Sequence, residues 1–206
     1  MNVSADAHAV KSADKDERIL RAATKVFADQ GFSDADTQEV ADLAKVGKGT
    51  VYRYYGSKEE LFLAVADTGM KKLERQIFDG IEGISGTIEL IRKCGVTYAA
   101  FFQKHPELVE ILIQERAAFR GSIPDTHLVY RQKNRRVLED ILRQGVLEGT
   151  LREIDVREAT NAFANLLYGT VVCGCIEGST RRLKRMASHA VEIFLRGIVA
   201  DASFLE

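Results

Sequence analysis

Apolar residues recur at helical spacing along most of this chain. Ile19, Leu20, Ala23, Val26 and Phe27 mark one face of a helix over 17–30, which Gly31 stops and Phe32 follows as a core plug. The same period predicts helices over 58–81, 87–104, 106–119, 126–148, 155–176 and 180–199, with residues 120–125 as a loop. Pro106 fits a first helical turn, and Gly80, Gly83, Gly86, Gly149 and Gly178 punctuate helix ends. With Pro106 and Pro124 the only prolines and few alternating β-branched runs, the pattern predicts an all-α fold.

Between the first and second long helices the period shortens. Asp36, with Glu39 three residues on, has the form of a capping box opening a short helix whose apolar face is Val40, Ala41, Leu43 and Ala44. Lys45-Val46-Gly47 is the turn, with Val46 as an apolar plug. A second short helix runs from Lys48 to Tyr55, and Ser57 with Glu60 caps the next. This is the spacing of a helix-turn-helix, which lays its second helix in the DNA major groove. Val51 and Tyr55, four apart, pack inward, whereas Lys48 with Tyr52 and Gly49 with Arg53 face away from the core. Arg53 suits a bidentate guanine contact, Gly49 allows close backbone approach, and Tyr52 can meet a thymine methyl or a phosphate.

Val40-Ala41, the run from Val46 to Tyr55, and Ser57-Lys58-Glu59-Glu60-Leu61 resemble the TetR family of bacterial transcriptional regulators, over roughly 17–65. The resemblance implies a DNA-binding regulator, a repressor released from its operator by a small molecule. It also implies that Thr50, Tyr54 and Lys58 contact phosphates and set register. Lys45 stands where the family has Gly, Gly47 where it has Ser, and Ala35 where it has Thr. Lys45 is therefore expected in a left-handed conformation, at a cost of about 1 kcal/mol. The loss at Ala35 puts one phosphate contact in doubt. The alternative is a helical ligand-binding or adaptor protein with a vestigial helix-turn-helix.

Charge adds a local signal only. The 206 residues carry a net charge of −1. Lys45, Lys48, Arg53 and Lys58 nevertheless cluster with no acid between Asp42 and Glu59. Phosphate attraction is short-range in salt, over about 8 Å, so such a patch can suffice; without the motif around it the same charges suit a solvated positive helix end. Three domains are expected: a disordered arm over 1–14, a DNA-binding unit over 15–60, and an effector-binding and dimerisation bundle over 61–206. The first residues are polar, so no secretory leader is expected, and the odd count of Cys94, Cys173 and Cys175 fits reduced thiols in a cytoplasm.

No charged side chain lies between Glu158 and Glu177, close to the lower limit for a membrane span, but Thr160, Asn161 and Asn165 make it a poor one and no membrane partner is expected. A helix apolar all round is buried all round. Either it is the core of a monomeric bundle, or one face meets a second copy. Thr170, Gly174 and Gly178 form a small-residue stripe that, with Phe194 on the last helix, would serve a two-fold dimer interface. The resemblance likewise implies a homodimer through the last two helices, set on a palindromic double-stranded DNA operator.

Catalytic chemistry is not in evidence: there is no P-loop, no GxSxG and no HExxH, and no cofactor or metal is implied. Cys173 and Cys175, two apart on a helix, point away from each other and read as buried small thiols. Tyr98, Phe101, Phe102, Phe119, Tyr130, Phe163 and Tyr168 supply apolar walls, and Glu115, Arg116, His127 and Asn165 polar anchors, for a small-molecule effector pocket. The same aromatics at helical spacing also suit a plain core.

Overall fold

A computed structural model describes residues 3–119 and 126–205, with side chains from residue 13 onward. Among the described residues the chain forms α1 (Val3–Asp34), α2 (Thr37–Leu43), α3 (Lys48–Tyr55), α4 (Lys58–Ile81), α5 (Thr87–Lys104), α6 (Glu107–Ala118), α7 (Thr126–Leu147), α8 (Val156–Ile176) and α9 (Leu183–Ile198). Short 3-10 turns cover Thr180–Arg182 and Ala202–Leu205. The expected loop over 120–125 lies outside the described residues.

Helical backbone from Val3 replaces the disordered arm expected over 1–14. No glycine or proline interrupts the chain before Gly31, alanine recurs, and Arg18 pairs with Asp14 one turn away at 3.3 Å. Gly31 leaves the helical region at φ 82°, ψ 160°, so the stop read at that residue is a true break within α1.

The chain divides into two compact units: Met1–Gly69 with Glu110–Thr126, and Met70–Val109 with His127–Glu206. The first is built on Ile19, Val26 and Phe27 of α1, Val40 and Ala41 of α2, Val51 of α3 and Leu61 and Phe62 of α4, all buried. Ile111 of α6 is buried in the same cluster, and Phe119 packs on it, its ring 4.9 Å from Phe32 and 5.7 Å from Phe62. A single helix with two short ones packed on its end buries too little surface to be stable alone. The first half of α4 and the end of α6 supply what they lack.

In the second unit α5 packs along α9, and α8 lies against both. Gly95 of α5 allows this convergence: a Cβ there would sit 2.5 Å from Val191, 3.3 Å from Phe163 and 3.4 Å from Leu167. Arg92 clasps α5 to α9 through Glu192, Nε to Oε1 at 2.7 Å. That hydrogen bond holds the Glu192 carboxyl below the ordinary carboxylate range. Backbone bonds from Arg152 to Ile198 and from Ala200 to Thr150, each 3.0 Å, tie the end of α9 to the α7–α8 connection.

Candidate nucleic-acid interface and ligand cavity

The helix-turn-helix forms as its sequence dictates. Asp36 caps α2 by accepting from the Gln38 backbone N–H at 2.7 Å. Glu39 does not complete the box; it accepts from Gln30 of α1 instead. In the turn, Lys45 is the one non-glycine residue with positive φ among those described, at 54°. Gly47 stands at the start of α3 without a side-chain cap. At the far end Ser57 Oγ accepts from the Glu60 N–H at 3.0 Å and opens α4.

Two sides of α3 differ in chemistry. Val51 is buried, and Tyr54 and Tyr55 pack against the core. The Tyr55 hydroxyl donates to Asp16 of α1, and burial, then that carboxylate, raise its pKa beyond the normal phenol range. On the outer side Gly49 and Arg53 are exposed; a Cβ at Gly49 would meet nothing within 4 Å. Arg53 has neither an ion-pair nor a hydrogen-bond partner among the described residues. Tyr52 exposes its ring, but its hydroxyl is held 3.0 Å from Thr37 Oγ1.

The neighbouring cations are less free. Lys48 Nζ lies 3.3 Å from Asp36 Oδ1, and the Asp36 carboxyl is lowered first by the Gln38 N–H and then by Lys48. Lys58 donates to the Ser33 carbonyl at 2.9 Å and sits 5.2 Å from the centre of the Phe32 ring. Thr50 is half-buried in the first turn of α3, its N–H bonded to the Gly47 carbonyl. Ala35 is buried, while Thr37 two residues on supplies the hydroxyl at the start of α2. Sequence reasoning missed Thr37, although its place one residue after the cap was legible.

The second unit holds a cavity of about 370 Å³ between α4, α5, α7 and α8. Tyr98, Tyr130 and Phe163 line it, as does His127. Five other residues expected in its wall do not. Phe101 and Phe102 are fully buried, packed edge to face at 5.3 Å. Tyr168 packs on His127, ring to ring at 4.6 Å. Glu115 and Phe119 belong to the first unit: Phe119 to the aromatic cluster with Phe32 and Phe62, Glu115 as the buried acceptor of the Thr126 N–H at 3.1 Å. Helical period locates an inward face but not which of two cores it enters. Of the expected anchors, Arg116 and Asn165 are exposed and line no wall, and Asn161 takes the place given to Asn165.

Missed from the sequence were Ile77, Phe78 and Ile81 of α4, Arg131, Val137 and Ile141 of α7, and Arg157 of α8. Their signal was the apolar stripe running past the first half of α4. Cys94 also reaches the wall, with burial pushing its thiol up to about 11. Tyr98 is buried and its hydroxyl shares a 2.9 Å hydrogen bond with His127 Nε2.

Of the small-residue stripe on α8, Gly174 is buried, Thr170 is half-buried and Gly178 is exposed. A Cβ at Gly174 would lie 2.4 Å from Leu183 Cδ2, so this glycine serves the α8–α9 contact within the chain. Gly178 ends the helix at φ 68°, Thr170 donates back to the Leu166 carbonyl at 2.7 Å, and Phe194 packs its ring 5.1 Å from Phe163. What α8 leaves open is a different stripe: Ala162, Asn165, Cys173 and Ile176 are exposed, as is Ile193 on α9. Cys173 is thus not a buried thiol. By length and composition α8 could cross a membrane, and only 28% of its apolar window is buried.

A family model described as bacterial regulatory proteins, tetR family, matches residues 19–65. An HTH-type transcriptional repressor of Streptomyces coelicolor is 30% identical over 152 residues, covering 72% of this chain and 75% of that protein. The uncharacterized HTH-type regulator YhgD of Bacillus subtilis is 29% identical over 147 residues, 70% of this chain and 75% of the relative. Among solved structures, the transcriptional regulator FadR of Bacillus subtilis in complex with stearoyl-CoA superposes with a TM-score of 0.75 at 20% identity, over 88% of this chain and 98% of that one.

Proposed function

Because this chain belongs to the TetR family of bacterial transcriptional regulators, we propose that it is a repressor whose α3 reads an operator and whose 370 Å³ cavity takes the ligand that releases it. The observation that carries the reading is the outer side of α3, where an unpartnered Arg53 stands beside a bare Gly49 backbone. Arg53 pairs with guanine in the major groove, the Tyr52 ring meets a thymine methyl, and Lys48 approaches the bases or the phosphates beside them. The Tyr52 hydroxyl, already held by Thr37, leaves the ring as the reading surface. Thr50, Tyr54 and Lys58 set register on the backbone.

Two copies pair through the uncovered faces of α8 and α9, around Ile176 and Ile193, each 72% exposed in the single chain. The pair sets two α3 helices on half-sites about 34–36 Å apart or a multiple of that. A ligand favouring one arrangement of the pair shifts the population away from the DNA-competent one, in proportion to its differential affinity. Relatives are named as regulators, and the reading gives this cytoplasmic protein no catalytic step.

Selection of bound duplexes from a random pool, followed by anisotropy titrations, tests the reading. The expected outcome is one palindromic sequence bound at least a thousandfold more tightly than scrambled DNA, in line with the usual specific-to-nonspecific ratios. Failure to enrich any sequence would overturn it. Light scattering on an eluting peak tests pairing, and a monomer at micromolar concentration sinks that part.

A further inference from the structure

The cavity wall is not electrically neutral. Glu74, its one acidic lining residue, is already matched by Lys133, Nζ to Oε1 at 2.9 Å. Against it stand Arg131 and Arg135, one turn apart on α7, and Arg157 at the start of α8. Arg135 has Glu139 beside it at 3.0 Å. Arg131 is half-buried and has no carboxylate among the described residues. It acts on the buried Tyr98 hydroxyl, where its charge opposes the rise that burial imposes on the phenol. A guanidinium drawn partly out of water without a counter-ion is costly, and a ligand anion there forms a charge-assisted, bidentate pair.

Beyond Arg131 the wall keeps Arg135, paired with Glu139, and the exposed Arg157, but an apolar run lies between α4 and α7. Ile77, Phe78 and Ile81 of α4 face Val137 and Ile141 of α7, with Phe163 of α8. From Arg131 to Ile141 is ten residues of helix, about 15 Å at 1.5 Å per residue. The cavity thus has a cationic point and an elongated apolar run leading from it, within the roughly 300–1,000 Å³ of small-molecule sites.

From this juxtaposition we infer that the ligand is an anionic amphiphile, its carboxylate or phosphate head on Arg131 and its linear apolar tail along Ile77, Ile81, Val137 and Ile141. The inference rests on the reading of this cavity as the effector site. An apolar neutral ligand leaves Arg131 unpaired, and a cationic one is repelled by it.

Calorimetry on the full chain with decanoate, decyl phosphate, decanol and decylammonium tests this without any variant. Decanoate or decyl phosphate, whichever head fits, is expected to bind at least tenfold more tightly than decanol, with decylammonium weakest. The ratio between the two anions identifies the head group. Arg131→Gln is expected to erase the preference over decanol while decanol binding persists; Arg136→Gln, an exposed arginine outside the wall, leaves it intact. Equal binding of decanoate and decanol, a preference for the amine, no binding of any probe, or equal behaviour of the two variants would overturn the inference. Arg131-dependent anion binding that leaves the operator complex intact would instead keep the inference and overturn the release mechanism.

Discussion

The two units handle polar groups in opposite ways. The helix-turn-helix unit keeps the groups proposed to read DNA outside its core: Arg53 and Gly49 stand in the open, while the polar atoms near the core are paired, Tyr55 with Asp16, Tyr52 with Thr37 and Glu115 with Thr126. The second unit folds polar groups inward, around a space, with Tyr98, His127 and Arg131 at one end of an apolar run. A duplex arrives with its own water and counter-ions and needs a convex, hydrated surface. A small ligand gains most of its affinity from burial and needs a concave one. On the proposed reading one chain carries two solutions to recognition, and its substitutions should sort accordingly.

The sharpest separation is at Phe102, which packs beside the cavity but not in its wall. Phe102→Ala is expected to cost about 3–5 kcal/mol of stability by denaturant titration, as for other buried aromatics. Unchanged stability with weakened ligand binding would move it into the site and blur the comparison. Next comes Arg53→Ala, expected to cost about 1–3 kcal/mol on the operator and far less on scrambled DNA. Lys58→Ala should weaken both DNAs alike, and also lower stability because its ammonium holds the end of α1 at Ser33. Equal losses on the two DNAs for Arg53→Ala would remove its base-reading role.

Smaller still is Lys45→Gly, which relieves the left-handed strain but adds freedom to the unfolded chain. A net gain of about 0.5–1 kcal/mol is expected in thermal unfolding. A loss would mean that the lysine stem packs usefully across the turn. The smallest effect belongs to the clasp between Arg92 and Glu192. Glu192 has a depressed folded pKa, so its contribution is present above the unfolded value near 4.3 and is lost as pH falls through the folded one. The melting difference between wild type and Glu192→Gln should be visible near neutral pH, within the roughly 0.2–1 kcal/mol of exposed pairs, and vanish in strong acid.

Much of the first unit was legible because its signals are local. Caps at Asp36 and Ser57, the turn at Lys45 and the inward Val51 all follow from neighbours within a few residues. The cavity was legible only in part. That Tyr98 and Phe163 reach it while Phe101 and Phe102 do not depends on rotations of whole helices, fixed by close approaches such as Gly95 against Val191. Gly174 makes the same point: its lack of a side chain was visible, but not that Leu183 of the same chain fills the space. Glu115 and Phe119 were assigned to the wrong core because residues 110–126 return to the N-terminal unit after forty residues spent in the other.

That return has a practical meaning for anyone wishing to exchange parts between such regulators. The DNA-reading module is not a bead at one end of the string. A graft that takes only residues before Gly69 leaves behind Ile111 and Phe119, and with them the cover over Phe32 and Phe62. A transplant meant to carry DNA specificity intact has to be cut at two places and bring the end of α6 with it.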